Sequence, residues 1–279
     1  MLIESAIGDA YGAGFEFAPP GFVAACNTVD RYIVAPGRRL EVGHYTDDTQ
    51  LSLAIAEAIL SGEAWTPQNL ANRFVSTFKR DPRPGYAAGF YGLLKEVKAG
   101  HELLKRLRPD SVRSGAAMRA APIGVLPVVR EVVEKSTVQA KITHNTPDGV
   151  RSAVAVSLSV HYMFYRLGPK HELFKFLGPY VPAHWFELWS GKVGTEGKSC
   201  VRAALTALMM CDSMRDLLRT AVAFTGDTDT VACIALAIGS CCAEMEQDLP
   251  EVLYDQLENG DYGHDYVKRL DAQLLARAA

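Results

Sequence analysis

The sequence has no excess of either charge: its 279 residues carry 29 Lys and Arg against 32 Asp and Glu, a formal net charge of −3. A protein that wraps a nucleic-acid backbone needs a basic face, so nucleic acid is not an expected partner. Long apolar runs are missing too. The longest, Val231 to Ala243, falls short of the roughly 20 residues that cross a bilayer, which excludes a membrane partner of that kind. The opening Met1-Leu2-Ile3-Glu4-Ser5 has no basic stretch and meets Glu4 and Asp9 too early for a secretory signal, so the expected location is the cytoplasm. Cysteine is sparse. The six, at 26, 200, 211, 233, 241 and 242, include no Cys-x-x-Cys pair and no histidine at ligand spacing. A zinc site and a disulfide scaffold are thereby excluded, and the cysteines of the apolar run read as small core residues.

Alternating strand patterns are equally scarce; the best, near Tyr32–Val34, is too short to build a sheet. What is present is helical spacing. Leu51, Ile55 and Ile59 with Ala54 and Ala58 form an i, i+4 stripe that ends at Ser61-Gly62. The same reading predicts helices over Asp148 to Arg166, Ser199 to Met210, Ser213 to Phe224 and Val231 to Met245, with a charged helix pattern beyond Glu244. Breaks at Pro19-Pro20-Gly21, Pro36-Gly37, Asp81 to Gly85 and Gly178 to Pro182 are short, so they read as loops rather than linkers. No fixed-period repeat is found. The expected architecture is all-α, with one domain over 1–279.

Two acidic blocks stand out. Tyr45-Thr46-Asp47-Asp48-Thr49-Gln50 precedes the helix near Leu51, and Thr225-Gly226-Asp227-Thr228-Asp229-Thr230 precedes the apolar run from Val231. Alone, either block reads more readily as a helix cap, and Asp47 with Gln50 resembles a capping box. One cap needs only one such side chain, however. Carboxylates this close repel and raise one another's pKa unless a positive charge lies between them, and oxygen-only ligands suit a hard cation such as Mg²⁺, Mn²⁺ or Ca²⁺. Asp227 and Asp229 would point about 200° apart on an ideal helix. They can face one site only if the stretch is a turn entering the helix, which Gly226 permits.

Five motifs then occur in order: Ile7-Gly8-Asp9-Ala10-Tyr11-Gly12-Ala13-Gly14-Phe15-Glu16, Tyr45 to Gln50, Ser114-Gly115-Ala116-Ala117-Met118-Arg119, Thr143-His144-Asn145, and Gly226 to Thr230. Over Ile3 to Ala243 this order resembles the ADP-ribosylglycohydrolase family, which includes the dinitrogenase-reductase-activating glycohydrolases. The resemblance implies a compact orthogonal helical bundle with two Mg²⁺ or Mn²⁺ ions. It implies Thr46, Asp47, Asp48, Asp227, Asp229 and Thr230 as their ligands. Glu16 would gate the cleft or handle the reacting water, with Asp47 and Asp229 sharing the catalytic assignment.

The implied reaction removes ADP-ribose from a modified protein side chain, arginine being the commonest linkage, or from a small ADP-ribosyl conjugate. Such cleavage develops oxocarbenium character at the sugar, which metal-held hydroxyls and an activated water would serve. Ser114, Gly115, Ala116 and Met118 would face the phosphates, although small residues also serve tight helix packing. His144 would bind near the nucleotide. Phe15 and Tyr11 read as core. Two departures from the family pattern matter: Ser114 stands where asparagine is usual, and Thr225, where many relatives have glycine, would add a hydroxyl at the metal entrance. The segment 81–100, with Tyr86 and Tyr91, would form part of the rim. A monomer is expected. The alternative is a catalytically silent relative that binds ADP-ribose or serves structurally, and its signature would be lost ligands.

Overall fold

In the computed structural model, which describes residues 1–278, the chain is made of helices and loops, and β-pairing among these residues is limited to isolated bridges. The all-α expectation holds. The longer helices are α1 (Leu2–Ala13), α2 (Asp47–Ser61), α3 (Pro67–Arg80), α4 (Val129–Lys141), α5 (Pro147–Phe164), α6 (Gly197–Met210), α7 (Met214–Ala223), α8 (Thr228–Gly239) and α9 (His264–Ala278).

Helix α8 is the centre of the bundle. Every residue from Thr228 to Gly239 is buried, so its sequence is apolar on all sides rather than striped. Helix α1 lies antiparallel against it, with Gly8 opposite Ala232 and Gly12 opposite Thr228. A Cβ on Gly8 would stand 2.5 Å from the Ala232 carbonyl oxygen, and one on Gly12 would stand 2.4 Å from that of Thr228. The two glycines lie four residues apart on one face of α1, so the backbones touch along that face. Thr228 Oγ1 donates to the Gly12 carbonyl at 2.8 Å, fixing the start of α8 beside the end of α1. Around this pair, α9 packs on α1 and α2, while α4 lies on α5.

Helix ends follow local chemistry. Thr66 caps α3, accepting from Asn69 N at 3.2 Å, with Pro67 in the first turn. Thr146 does the same for α5 through Gly149 N at 3.1 Å, and Ser213 for α7 through Asp216 N at 3.2 Å. Helix α5 ends at Phe164, before Arg166 at φ +51° breaks the helical path. Helix α8 starts three residues before the expected Val231 and stops at Gly239 instead of Met245. Beyond it Cys241 N and Cys242 N bond three residues back, to Ile238 O and Gly239 O. Cys242 and Met245 are buried by that turn, so the apolar run outlasts the helix. Helices α1, α3 and α4 are additional to those expected. All six cysteines are free thiols, four of them buried. Among the described residues no helix is long and apolar enough to cross a membrane.

Gly12→Ala is expected to lower stability by about 1–3 kcal/mol, because its Cβ meets backbone that cannot rotate away. Gly21→Ala, where a Cβ meets nothing within 4 Å, should leave stability unchanged or slightly raised. Thermal unfolding of the two variants side by side checks the contrast.

Candidate active site

Asp9 was given no role on sequence grounds, yet the site is built on it. It lies on α1, fully buried, and its carboxylate accepts four hydrogen bonds from the start of α2. Thr46 N and Thr49 N donate to Oδ2, both at 2.9 Å; Thr49 Oγ1 donates to the same oxygen at 2.6 Å, and Thr46 Oγ1 donates to Oδ1 at 2.7 Å. Burial pushes the Asp9 carboxyl above the ordinary range, and these bonds oppose that rise. Thr49 N in the first turn of α2 is thus satisfied from another helix, by a charge that also suits the helix dipole, while Asp48 N goes to Thr46 Oγ1 at 3.4 Å and Asp47 N to Pro84 O at 3.1 Å. The capping-box reading is therefore corrected. Thr46, not Asp47, is the N-cap, and Gln50 turns its amide to the carbonyl of Asp81 and accepts from Tyr86 Oη at 2.7 Å. Asp47 and Asp48 are left free of capping duty.

At the start of α8, Gly226 at φ +91° precedes Asp227, which is the N-cap residue but makes no side-chain cap. Asp229 sits in the first turn. This is the turn geometry that both aspartates require to face one place. Phe17 N donates to Gly226 O at 2.8 Å, which carries Glu16 to the same point. The ligand atoms of Glu16, Asp227 and Asp229 lie within 4.8 Å of one another, an acidic cluster able to hold a metal ion. Asp227 Oδ2 is touched by Ser114 Oγ at 3.4 Å and by Cys200 Sγ at 3.3 Å, while Thr230 Oγ1 meets Ser114 Oγ at 3.3 Å. Ser114 therefore belongs to the acidic end.

The charges here are strongly unbalanced. Burial pushes Asp47, Asp48 and Asp229 well above the ordinary carboxylate range, and neighbouring carboxylates add to the rise. Glu16 is raised as well, by burial first and by Asp227 and Asp9 in part, against the pull of Arg38. Arg38 pairs with its carboxylate and donates to its main-chain carbonyl at 2.6 Å. Asp48 Oδ1 is buried without a hydrogen-bond partner. An orphaned acceptor in an all-oxygen set is what a hard cation would satisfy, so the residues fit such an ion. Gly85, at φ +104°, completes the cradle: a Cβ there would stand 2.0 Å from Asp47 Oδ1.

A cavity of ≈ 610 Å³ opens over this cluster, lined at the acidic end by Glu16, Asp47, Asp48, Asp227, Asp229 and Thr230. Gly85 to Phe90 form part of its wall, as the rim reading of segment 81–100 anticipates. The lining also includes Arg108, Arg113, Gly115, Met118 and His144, with Ser114 beside Asp227. Thr46 and Ala116 are not on the cavity wall. Thr46 gives its hydroxyl hydrogen to Asp9, and Ala116 is fully buried, its carbonyl accepting from Gln139 Nε2 at 2.9 Å. Thr225 does not line the cavity either; it is half-buried at φ +62°, a strained position for a β-branched residue. Tyr11 and Phe15 are fully buried core, as read.

One further group, Arg119, was not anticipated. Arg119, 1% exposed, is held by the neutral acceptors Gln139 Oε1 at 2.6 Å, Gln139 O at 3.0 Å and Thr143 Oγ1 at 2.8 Å. Burial pushes its guanidinium down to about 9. Thr143 Oγ1 lies 2.6 Å from His144 Nδ1, and burial with the nearby Arg119 charge lowers His144 to about 3, so its ring is neutral. No sequence pattern isolates Asp9 or Arg119, although both sit inside motifs already quoted; a charged residue within an apolar helix was the available signal.

Asp9→Asn is expected to cost about 2–3 kcal/mol, because an amide nitrogen cannot accept from Thr49. It should also weaken Mn²⁺ binding by loosening Thr46 to Asp48. Thermal unfolding and Mn²⁺ calorimetry on the same variant check both effects.

Comparison with known proteins places the chain in a family. The family model described as ADP-ribosylglycohydrolase matches residues 1–279. An ADP-ribosyl-[dinitrogen reductase] glycohydrolase from Rhodospirillum rubrum is 25% identical over 236 residues, 82% of this chain and 80% of that one. ADP-ribosylhydrolase ARH3 from Mus musculus is 29% identical over 173 residues, 57% of this chain and 47% of that one. The match thus spans about half the length of the animal relative. A solved structure of an ADP-ribosylglycohydrolase-related protein complex superposes at a TM-score of 0.77, covering 100% of this chain and 96% of that one at 21% identity, which shows the shared fold. Matched across its whole length, the chain belongs to the ADP-ribosylglycohydrolase family.

Proposed function

We propose that this protein is a metal-dependent hydrolase that cleaves the glycosidic bond between ADP-ribose and a modified protein side chain, most often arginine, or a related small ADP-ribosyl conjugate. The observation that carries the reading is the buried, all-oxygen acidic cluster, with Asp48 Oδ1 unpartnered, at one end of a cavity of ≈ 610 Å³. Family membership and the activities named for the relatives support it. The proposal takes the chain as one domain over 1–279, acting as a monomer in the cytoplasm. The silent-relative alternative is disfavoured because Glu16 and the six oxygen-bearing residues of both blocks are intact.

Thr46, Asp47 and Asp48 on one side, and Asp227, Asp229 and Thr230 on the other, would hold two Mg²⁺ or Mn²⁺ ions, which supply positive charge to the ribose hydroxyls and the attacking water. Asp47 and Asp229 orient the sugar end of the ligand. Glu16, its carboxyl raised by burial against the pull of Arg38, is the candidate for moving the proton. It takes a proton from the water that adds to the anomeric carbon. It returns that proton to the departing group, so ADP-ribose and the free side chain are the products. Gly85 to Phe90 cover the cavity beside Asp47.

The test is release of ADP-ribose from arginine-, serine- and small-molecule-linked conjugates, with Mg²⁺ or Mn²⁺ and with chelator. Release from one linkage that stops on chelation and returns with metal is expected; release indifferent to exhaustive chelation would remove the metal reading. Glu16→Gln should lower kcat by about 10²–10⁴-fold with ADP-ribose affinity little changed. Asp227→Ala should abolish turnover while retaining the fold.

A pH dependence follows from the same charges. Asp9, Glu16, Asp47, Asp48 and Asp229 are raised in the folded state, so the folded protein holds more protons than the unfolded chain. Their contribution therefore becomes more favourable as pH falls through the folded-state values. His144 and His161, lowered by burial, act in the opposite direction below about pH 6.5. Metal needs the deprotonated carboxylates, so the Tm increase produced by Mn²⁺ should be largest near pH 8 and shrink toward pH 5. Paired melting curves with Mn²⁺ and with chelator across that range isolate the cluster from the histidines.

A further inference from the structure

The cavity lining carries both signs of charge. Besides the acidic cluster it includes the loop 107–114, which brings Arg108 and Arg113 to the lining and ends at Ser114 beside Asp227. Arg106, just before this loop, is taken up by Glu96. Arg108 and Arg113 are exposed and have no carboxylate partner among the described residues. Asp110 lies between them on the lining, so the three charges leave this wall one positive charge in excess. Arg119, buried and held only by neutral acceptors, adds a fixed positive charge on the cavity lining.

The loop that carries the two arginines is also pinned. Asn145 N donates to Pro109 O at 2.6 Å, Gly197 N to Val112 O at 3.0 Å, and Ser114 N to Thr195 O at 2.9 Å. Thr146 Oγ1 donates to Ser111 O at 3.2 Å. Anchored from the starts of α5 and α6, the loop is set before any ligand arrives, which lowers the ordering cost of binding. Guanidinium groups on such a frame match phosphate oxygens in charge and in planar, bidentate geometry.

We propose that Arg108 and Arg113 are specificity-determining residues that bind the pyrophosphate of the ligand at the cavity mouth. The proposal rests on the ADP-ribose reading above and assigns the anionic half of that ligand to this wall. The sugar then extends toward the acidic cluster, so the ligand's charge is arranged opposite to that of the cavity. Asp110, between the arginines, disfavours a ligand that places a further anion there.

The experiment measures binding of ADP-ribose and of uncharged adenosine by calorimetry, to wild type, Arg108→Gln, Arg113→Gln and the double variant. Each single variant should lose about 10-fold in ADP-ribose affinity and the double about 100-fold, with adenosine affinity and Tm unchanged. The wild-type affinity for ADP-ribose should fall with added salt, and that dependence should flatten in the double variant. Wild-type binding of ADP-ribose with no loss in the double variant overturns the proposal. An equal loss for adenosine also overturns it, because that shows a packing role. No binding of ADP-ribose to wild type rejects the underlying function instead, so the two failures are distinguishable.

Discussion

The Asp9 carboxylate is the interaction on which the rest of the site depends. A helix start leaves several amides without partners, and most helices satisfy them with their own cap residue. Here α2 keeps its own cap, Thr46, and that cap is in turn held by α1, through four hydrogen bonds to one buried side chain. Thr46 is locked in place, and the two aspartates that follow it line the cavity.

Holding that many carboxylates together would be untenable in an ordinary interior. Burial and mutual repulsion both favour the protonated forms, and among the described residues the only ion pair at the cluster is that of Glu16 with Arg38. A cation would relieve the unfavourable electrostatics of such a site, and the unpartnered Asp48 Oδ1 fits the same chemistry. The positive charges on the same lining, Arg108, Arg113 and Arg119, pair with no carboxylate among the described residues.

Backbone contact does the positioning. Gly8 and Gly12 let α1 and α8 approach closely enough that Asp9, Glu16, Asp227 and Asp229 share one region despite more than 200 residues of intervening chain. Gly85 does the same for the loop that covers Asp47. Bulk at any of these places would act through geometry, by moving a carboxylate, and would need no direct contact with a ligand.

Much of this was legible in the sequence. The striped helices α2, α5, α6 and α7, the two acidic blocks and the need for a turn at Gly226 all follow from local rules, because periodicity and backbone freedom are properties of neighbouring residues. Helix α1 was missed because, buried at every position but Glu4, it carries no stripe, and its glycines and Asp9 interrupt the continuous apolar run that revealed α8. The end of α8 was misplaced because a buried turn is as apolar as a helix. Motif order sufficed for the family, since order is preserved whether or not the motifs touch. Which acid caps and which acids face the cavity was decided only by tertiary structure. Asp9 and Asp48 are chemically alike in the sequence; the four donors around one, and the unpartnered Oδ1 of the other, arise from segments that only folding brings together.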